Sequence, residues 1–308
     1  MRMLDASSML AFVEGQRTHI ETQVNATVFP EVLYPTLVPI DNSAAPWVKT
    51  ITARSTEAYG QADFINGNAD DIPTAGNTAS QNQIAVKMAG IGYEFGYEEV
   101  QSAAAYGVNL SADDAIAARE ASEKFIDKIV LVGDERYGLQ GLINTNGIPI
   151  EAATAKWTDA GTTESQILKD VNKILGGTSV ATGQTMPADT LLLPYETYTH
   201  LAGQPLDNQS GGTLLSFIQK YNSYTAMTGN PLVIRAMGRL SGAAAGGTEN
   251  RAVAYSRNPR VLKVHIPMMH NFLPTHQVGA LNFVVPGIMR LTGLDIKNKE
   301  AFRYIDGV

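Results

Sequence analysis

The sequence predicts an α+β fold, and three observations support that class. An amphipathic helix of about twenty residues is predicted over 111–132. Before it, strand-like segments at 47–54 and 83–97 flank a polar connection, and after about residue 162 helices and strands alternate in the manner of an α/β domain. The 308 residues, 44% of them apolar, suffice for a sizeable core and about two domains.

Composition excludes several classes of protein. The formal charge of −7 and the pI near 5.3 argue against a surface that neutralises phosphates. The absence of cysteine excludes disulfides and thiolate chemistry and fits a reducing cytoplasm. The apolar runs are far shorter than the roughly twenty residues that cross a bilayer, and no secretory signal is recognisable at the start. We therefore expect a soluble chain with no membrane partner.

The N-terminal part combines a helix with a proline-rich segment. A helix is predicted over about 6–25, and prolines at positions 30, 35 and 39 predict that residues 29–40 form neither a helix nor a central strand. The side chains of this segment are largely apolar and must lie against something. Two interpretations stay open, namely a strap across its own domain and an arm around a neighbouring subunit.

The two strand-like segments predict a long hairpin arm. The second strand changes phase at Gly90 and Gly92, where a bulge is expected. Residues 57–82 between the strands are polar and have little to pack. Because an isolated hairpin is marginal in water, we expect this arm to become ordered by burial on another surface.

The long helix has recognisable signals at both ends. Ser111-Ala112-Asp113-Asp114 resembles a capping box, and Gly133 suits the helix stop. The predicted apolar stripe comprises Ala118, Ala121, Phe125, Ile129 and Val132, and Ile126 and Val130 widen it. The opposite face is predicted to be solvated or to face another subunit, with Glu120 and Lys124 as an i,i+4 pair, and it carries Arg119, Glu120, Glu123, Lys124, Asp127 and Lys128.

The second half of the chain reads as an α/β domain. A helix begins with Thr163 and Gln166 as a capping pair and is predicted to end at Gly176-Gly177. Further helices are predicted at 195–202 and 213–221. Strands are predicted at 190–194, 231–234, 251–255, 261–264, 278–285, 289–291 and 302–305.

No catalytic constellation is recognisable. His265, His270 and His276 are close in sequence, but their spacing does not match a helical metal pair, and prolines lie between them. There is no nucleophile elbow, Walker loop, zincin helix or kinase signature. The sequence predicts a protein that is not an enzyme and has no cofactor and no metal, with Trp47 and Trp157 as packing or interface anchors.

Several short motifs carry a family resemblance. They are Tyr34-Pro35, the Ala-Asp-Asp-Ile-Pro stretch at 69–73, the Tyr-x-x-Glu-like step at 97–100, where Glu98-Glu99 fill the usual position, and Tyr-Gly-Leu-Gln-Gly-Leu-Ile-Asn at 137–144. With the order of elements, they resemble tailed-bacteriophage major capsid proteins of the Hong Kong ninety-seven fold. The motifs span about residues 29–150, and beyond them the likeness is one of architecture.

The resemblance implies four regions. Residues 1–46 would be an N-terminal helix and arm, and 47–92 an extended hairpin called the E-loop. Residues 93–150 and about 266–291 would be the P-domain with its spine helix at 111–132. Residues 151–265 and about 292–308 would be the A-domain.

The resemblance also implies a function. The chain would self-assemble into hexamers and pentamers of an icosahedral shell, in the cytoplasm of a bacterial host, and enclose double-stranded DNA without sequence-specific binding. Portal and scaffolding or decoration proteins would be its other partners. Some relatives cross-link a hairpin lysine to a neighbour, but no lysine lies between Lys49 and Lys87 here, so covalent cross-linking is not expected.

Candidate interface residues follow from the arm, the hairpin and the exposed helix face. They are Tyr34, Leu37, Val38, Ile40, Trp47, Lys49, Tyr59, Phe64, Asp70, Asp71, Glu120, Glu123 and Lys124. The alternatives are an encapsulin-like nanocompartment shell, an α/β hydrolase or transferase, and a tail or adhesion subunit that would form fibres or rings.

Overall fold

The computed structural model of the protein describes residues 6–26, 32–64, 72–110, 112–159, 161–206, 212–244 and 246–308. In chain order, the α-helices of these residues are α1 (Ala6–Ala26), α2 (Tyr34–Leu37), α3 (Tyr97–Tyr106), α4 (Asp113–Leu131), α5 (Glu164–Ala181), α6 (Tyr195–Gly203), α7 (Leu214–Lys220) and α8 (Ser223–Thr228). The strands are β1 (Ile40–Asp41), β2 (Thr50–Tyr59), β3 (Gly76–Ala85), β4 (Lys87–Gly90), β5 (Tyr93–Gly96), β6 (Gly133–Asp134), β7 (Leu139–Gln140), β8 (Ile150–Ala152), β9 (Thr190–Leu193), β10 (Val233–Ala236), β11 (Arg251–Tyr255), β12 (Leu262–His265), β13 (Met268–Phe272), β14 (His276–Val278), β15 (Asn282–Val285), β16 (Gly287–Leu291), β17 (Leu294–Ile296) and β18 (Phe302–Asp306).

The chain divides into two compact units. The smaller comprises Met1–Thr18, Asn42–Leu110 and Ile266–Thr292, and the larger comprises His19–Asp41, Ser111–His265 and Gly293–Val308. Residues 111–150 belong to the larger unit, and 93–110 and 266–292 belong to the smaller. The four predicted regions stay a prediction.

The larger unit is built on a five-stranded mixed sheet in the order β10-β9-β11-β18-β8. Its second strand, β9, is buried along its whole length, which explains the continuous apolar run at 190–193. Helix α5 packs its apolar face into the same core through Ile167, Val171 and Ile174. Trp157 is fully buried there, and its indole Nε1 donates to Oδ2 of Asp170 at 3.1 Å, so this tryptophan is a packing anchor.

Two predicted helix boundaries are confirmed and two are wrong. Thr163 and Gln166 form the expected capping box of α5, and Gly133 follows α4 with a φ of 82°. At the other ends, α4 has Ala112 as its N-cap with no side-chain cap, and Ser111 lies outside the described residues. Helix α5 continues past Gly176 and Gly177 to Ala181.

The proline-rich segment contains one helical turn, contrary to the prediction that it forms no helix. Pro35 occupies the first turn of α2, where a missing N–H costs nothing, because the first N–H groups have no partner within the helix. The segment then enters a three-stranded sheet in the order β1-β12-β17, in which β1 runs parallel to β12 at the edge. For residues 32–40, which the structure describes, the prediction that the segment forms no central strand is confirmed.

The smaller unit contains two further three-stranded sheets, β13-β16-β4 and β14-β15-β5. Its core is aromatic, because the ring of Tyr93 meets those of Phe95 and Phe272 edge to face at centroid distances of 5.4 and 4.9 Å. In α1, Met9 and Val13 are buried. Helix α3 was not predicted, because Val100 and Ala103 are its only buried residues and leave a weak periodic signal.

The hairpin consists of β2 and β3, paired without interruption from Thr50↔Ala85 to Tyr59↔Gly76. The strands therefore extend further into the polar segment 57–82 than the sequence predicted. A ladder needs only backbone groups, so polar side chains do not prevent pairing. The three strands β3, β4 and β5 replace the single bulged strand predicted at 83–97, with breaks at Val86 and at Ile91-Gly92.

In the described part of the chain, none of the helices combines the length and the apolar character that crossing a bilayer requires.

Candidate assembly interface

The described residues toward the end of the hairpin expose large apolar side chains. Within the described residues, no other strand is hydrogen-bonded to β2 or β3. Near its end, Tyr59 is 62% exposed, Phe64 is fully exposed and Ile72 is 61% exposed. Exposed apolar side chains of this size on a two-stranded ribbon are typical of a contact that the isolated chain does not make. The predicted candidates Asp70 and Asp71 lie outside the described residues.

The base of the hairpin is also apolar and exposed. Trp47 is 66% exposed and lies over the guanidinium of Arg290, with Cζ 5.7 Å from the ring centroid. Arg290 Nη1 donates to the carbonyl of Pro46 at 2.7 Å, which fixes this stack. Met88 is 64% exposed and is the cross-strand partner of Arg290, while Lys49 is exposed and its carbonyl accepts from Val86 N. The structure thus brings Trp47 and Lys49 to one surface and adds Met88.

The strap interpretation is confirmed for residues 34–41. Tyr34, Leu37 and Val38 are buried in the larger unit. The hydroxyl of Tyr255 donates to the carbonyl of Leu37 at 2.9 Å. These three candidates are therefore committed to contacts within their own chain, whereas Ile40 is 40% exposed at the sheet edge.

A carboxylate of α4 caps the helical turn of the strap from outside. The N–H groups of Leu33 and Tyr34 both donate to Oδ1 of Asp127 at 2.9 Å. Leu33, the N-cap of α2, makes no side-chain cap bond, and Pro35 has no N–H. Asp127 therefore satisfies N–H groups that a helix start normally leaves open. Its Oδ2 lies 3.1 Å from Nη2 of Arg239, which compensates the buried charge.

A second buried carboxylate lies one turn earlier on α4. The hydroxyl of Tyr34 donates to Oε2 of Glu123 at 3.0 Å, and Nη2 of Arg119 lies 2.9 Å from Oε1. Burial, followed by the charge of Glu123, raises the pKa of the Tyr34 hydroxyl, so this group stays a donor. We call the contacts of Glu123 and Asp127 with the strap the carboxylate clasp.

The carboxylate clasp shows that part of the predicted polar face of α4 is wrong. Glu123 and Asp127 were expected on a solvated or subunit-facing surface but are buried, and Phe125 of the predicted apolar stripe is 37% exposed. The buried face keeps Ala118, Ile126, Ile129 and Val130 of the predicted stripe and extends to Glu123 and Asp127. Glu120 and Lys124 stay at the surface and form the expected pair, with Nζ 2.6 Å from Oε1.

The histidines make ordinary polar contacts. In buried His265, Nδ1 lies 3.3 Å from Oδ2 of Asp41 and Nε2 lies 3.2 Å from Oδ2 of Asp295, while Lys263 also binds Asp41. His270 Nε2 lies 2.9 Å from the carbonyl of Ile91. Among the described residues no group of three or more acidic or histidine side chains is arranged to hold a metal ion.

Comparison with known proteins gives a consistent result. The family model described as major capsid protein matches residues 60–308. The capsid of Myoviridae phage XM1 is similar in structure, with 19% identity, a TM-score of 0.71, and coverage of 92% of this chain and 94% of that one. A capsid of the native GTA particle matches with 10% identity, a TM-score of 0.63 and 91% coverage of both chains.

A virus-like particle from Pyrococcus furiosus matches with 14% identity, a TM-score of 0.58, and coverage of 96% of this chain and 99% of that one. At these identities the likeness shows a shared mixed helix and sheet fold. A comparison with curated proteins gives no match.

Proposed function

This chain belongs to the major capsid protein family, and from that premise we propose that it is the shell subunit of a tailed phage, assembling into hexamers and pentamers of an icosahedral capsid. The single observation that carries the proposal is the family match over residues 60–308. The solvent-exposed hairpin supports it, because a shell needs surfaces that bind other copies.

In this proposal each region has a role. The hairpin β2–β3 acts as the E-loop and reaches a neighbour, α4 is the spine helix of the P-domain, and the unit around the five-stranded sheet forms the A-domain near the capsomer centre. The proposed contact residues between copies are those with exposed or undescribed side chains, namely Ile40, Trp47, Lys49, Tyr59, Phe64, Asp70, Asp71, Glu120 and Lys124.

The proposed contents and partners follow from the same role. The acidic chain would line a shell that encloses double-stranded DNA without gripping it, since strong phosphate binding requires clustered basic residues. Portal and scaffolding or decoration proteins would complete the virion, assembled in the host cytoplasm. The family match does not favour the rival shell that packages protein cargo.

The experiment that tests the role of the hairpin shortens it without disturbing its register. Residues 57–78 are replaced by Asn-Gly, which joins the paired residues Thr56 and Ala79 by a two-residue turn. We expect a folded, soluble chain that no longer forms shells, because the removed part has no strand partner beyond the hairpin itself. Sedimentation velocity and negative-stain microscopy measure the assembled fraction.

The full-length chain, expressed in parallel, is the reference and should sediment as closed shells. Circular dichroism and thermal unfolding check that the shortened chain is folded. Intact shells from the shortened chain would contradict the proposed role of the hairpin, and a full-length chain that never exceeds small oligomers would contradict the proposed function.

A further inference from the structure

One edge of the five-stranded sheet carries an open groove within the larger unit. The groove has a volume of about 430 Å³, which is in the range of clefts that hold ligands. All four residues of β10 line it, so this edge strand forms its floor. We call it the edge groove; its walls are Tyr198 of α6, Gln219 of α7, and Leu33, Thr36 and Leu37 at the helical turn of the strap.

The floor of the edge groove has backbone groups that point outward. Strand β10 ends the sheet order, so among the described residues no strand pairs with its outer side. The N–H of Val233 donates to the carbonyl of Asp189 on the inner side at 3.0 Å. Because successive residues of a strand direct their backbone groups to opposite sides, the N–H and C=O groups of Ile234 and Ala236 point away from β9. An extended peptide in the groove can therefore pair with these groups as a further strand.

The two faces of β10 differ in chemistry. Ile234 packs against the core that the sheet shares with α5. Val233 and Arg235 point to the opposite face, which also carries Tyr255, as the register of β10, β9 and β11 shows. The hydroxyl of Tyr255 donates to the carbonyl of Leu37, so this second face is the one that the strap covers. On that face Val233 is 40% exposed and Arg235 is exposed.

The strap side of the edge groove is positively charged. The guanidinium of Arg257 donates through Nη2 to the carbonyl of Pro35 at 3.2 Å, and Arg257 and Arg235 both act on the hydroxyl of Tyr255. An acid in this region, Asp189, accepts from the backbone N–H of Arg257 at 2.8 Å. These three groups leave one positive charge, although the whole chain has a formal charge of −7. A segment that fits this side must therefore bring a carboxylate.

We propose that the edge groove binds an extended acidic segment of a partner protein, which joins the sheet beside β10. The segment presents an apolar side chain to Val233. Two residues further along it presents a carboxylate to Arg235 and Arg257, because alternate residues of a strand share a face. Its backbone pairs with the outward groups of Ile234 and Ala236. Such a partner is additional to the copies that would build the shell.

Designed peptides test this recognition directly. The probe is the fluorescently labelled peptide Thr-Val-Thr-Asp-Thr-Val, blocked at both ends, which places its valines and its aspartate on one face of a strand. Fluorescence anisotropy with the full-length, unassembled chain should show saturable binding. A second peptide has lysine in place of aspartate, and a third, Thr-Val-Asp-Thr-Thr-Val, has the same composition with the aspartate on the other face. Each of these two should bind at least about tenfold more weakly than the probe.

A charge swap tests the contact with the carboxylate. Arg235→Glu should weaken binding of the probe at least about tenfold, and it should bind the lysine peptide more tightly than the unmodified chain does, because the charge of the groove is reversed. Lys169→Glu is the matched control. It makes the same change in charge at an exposed residue of α5 that does not line the groove, so binding of the probe should be unchanged.

Ala236→Pro tests the backbone pairing. It removes an N–H that points into the groove and leaves the bonds to β9 in place, and proline is tolerated where the N–H of an edge strand faces outward. Binding of the probe should weaken by about three- to tenfold. Circular dichroism and thermal unfolding check that the variant is folded; if it is not, the charge swap at position 235 decides alone.

Three results would overturn the proposal. They are equal binding of the three peptides, binding that Arg235→Glu leaves unchanged, and no saturable binding by the unassembled chain. If the third result came with a loss of assembly in Arg235→Glu, measured by sedimentation velocity, the occupant of the edge groove would be a second copy of this chain.

Discussion

The strap and the hairpin are both extended segments that the sequence predicts to need a surface, yet only the strap folds onto its own unit. The strap buries Tyr34, Leu37 and Val38 and binds two carboxylates of α4. The hairpin satisfies its backbone by pairing with itself and leaves Tyr59 and Phe64 in solvent. An extended segment therefore stays with its own chain when that chain supplies both apolar contact and polar partners.

The largest effect is expected from removing the carboxylate that caps the strap. Asp127→Ala leaves the backbone N–H groups of Leu33 and Tyr34 without their acceptor, which costs about 1–3 kcal/mol for each buried group, whereas Arg239 is 39% exposed and can be hydrated. We expect the free energy of unfolding to fall by the cost for both groups in urea denaturation. Hydrogen exchange at residues 33–38 should accelerate.

Glu120→Gln is the matched control for this substitution. Glu120 is an acid of the same helix, but it pairs with Lys124 at the surface, where such pairs contribute at most about 1 kcal/mol. An equal loss of stability in the two variants would mean that the strap is not held by Asp127.

A smaller effect is expected at the other half of the clasp. Tyr34→Phe removes the hydroxyl that donates to buried Glu123, and leaving that acceptor without its donor should cost about 1–3 kcal/mol. Because the pKa of Tyr34 is raised on folding, the folded state holds this proton more tightly than the unfolded chain. The stabilisation is complete below the unfolded pKa of about 10 and is lost as the pH rises through the folded value.

Urea denaturation of the wild type and of Tyr34→Phe at neutral and alkaline pH checks the direction of this pH dependence. The gap between wild type and Tyr34→Phe should narrow above about pH 10. A gap that widens with pH would show that the hydroxyl is not a donor to Glu123.

The smallest effect on stability is expected in the hairpin. Phe64→Ser removes a fully exposed ring, so the free energy of unfolding of the unassembled chain should change by less than about 0.5 kcal/mol. Assembly, measured by sedimentation, should nevertheless fall. A large loss of stability in the unassembled chain would mean that the ring of Phe64 packs against its own chain. The hairpin would then resemble the strap in using contacts within one chain.

The sequence predicted the elements whose signals are local. The capping box at Thr163, the strand at 251–255 and the stop at Gly133 each depend on neighbouring residues. Helix α5 passed its predicted end because a glycine inside a helix costs only about 1 kcal/mol. Here Gly177 also leaves room for Arg303, whose Nη2 donates to its carbonyl.

The clasp could not be predicted because its two halves are about ninety residues apart. Periodicity assigns charged residues to solvent, and only tertiary partners such as Tyr34 and Arg239 make it favourable to bury Glu123 and Asp127. The exposed surface at the base of the hairpin was predicted in part, because Trp47 and Lys49 were candidate interface residues from the sequence. Met88 joins them only through its pairing with Arg290.

Asp127 recognises the strap by its main chain, and this has a consequence for variation. Both bonds go to backbone N–H groups, so the capping acid is indifferent to the side chain at position 33. Helix α4 must keep an acceptor at position 127, while the side chain at position 33 can vary. Randomising position 33 should therefore yield many tolerated residues, with proline, which has no N–H to offer, as the conspicuous exception.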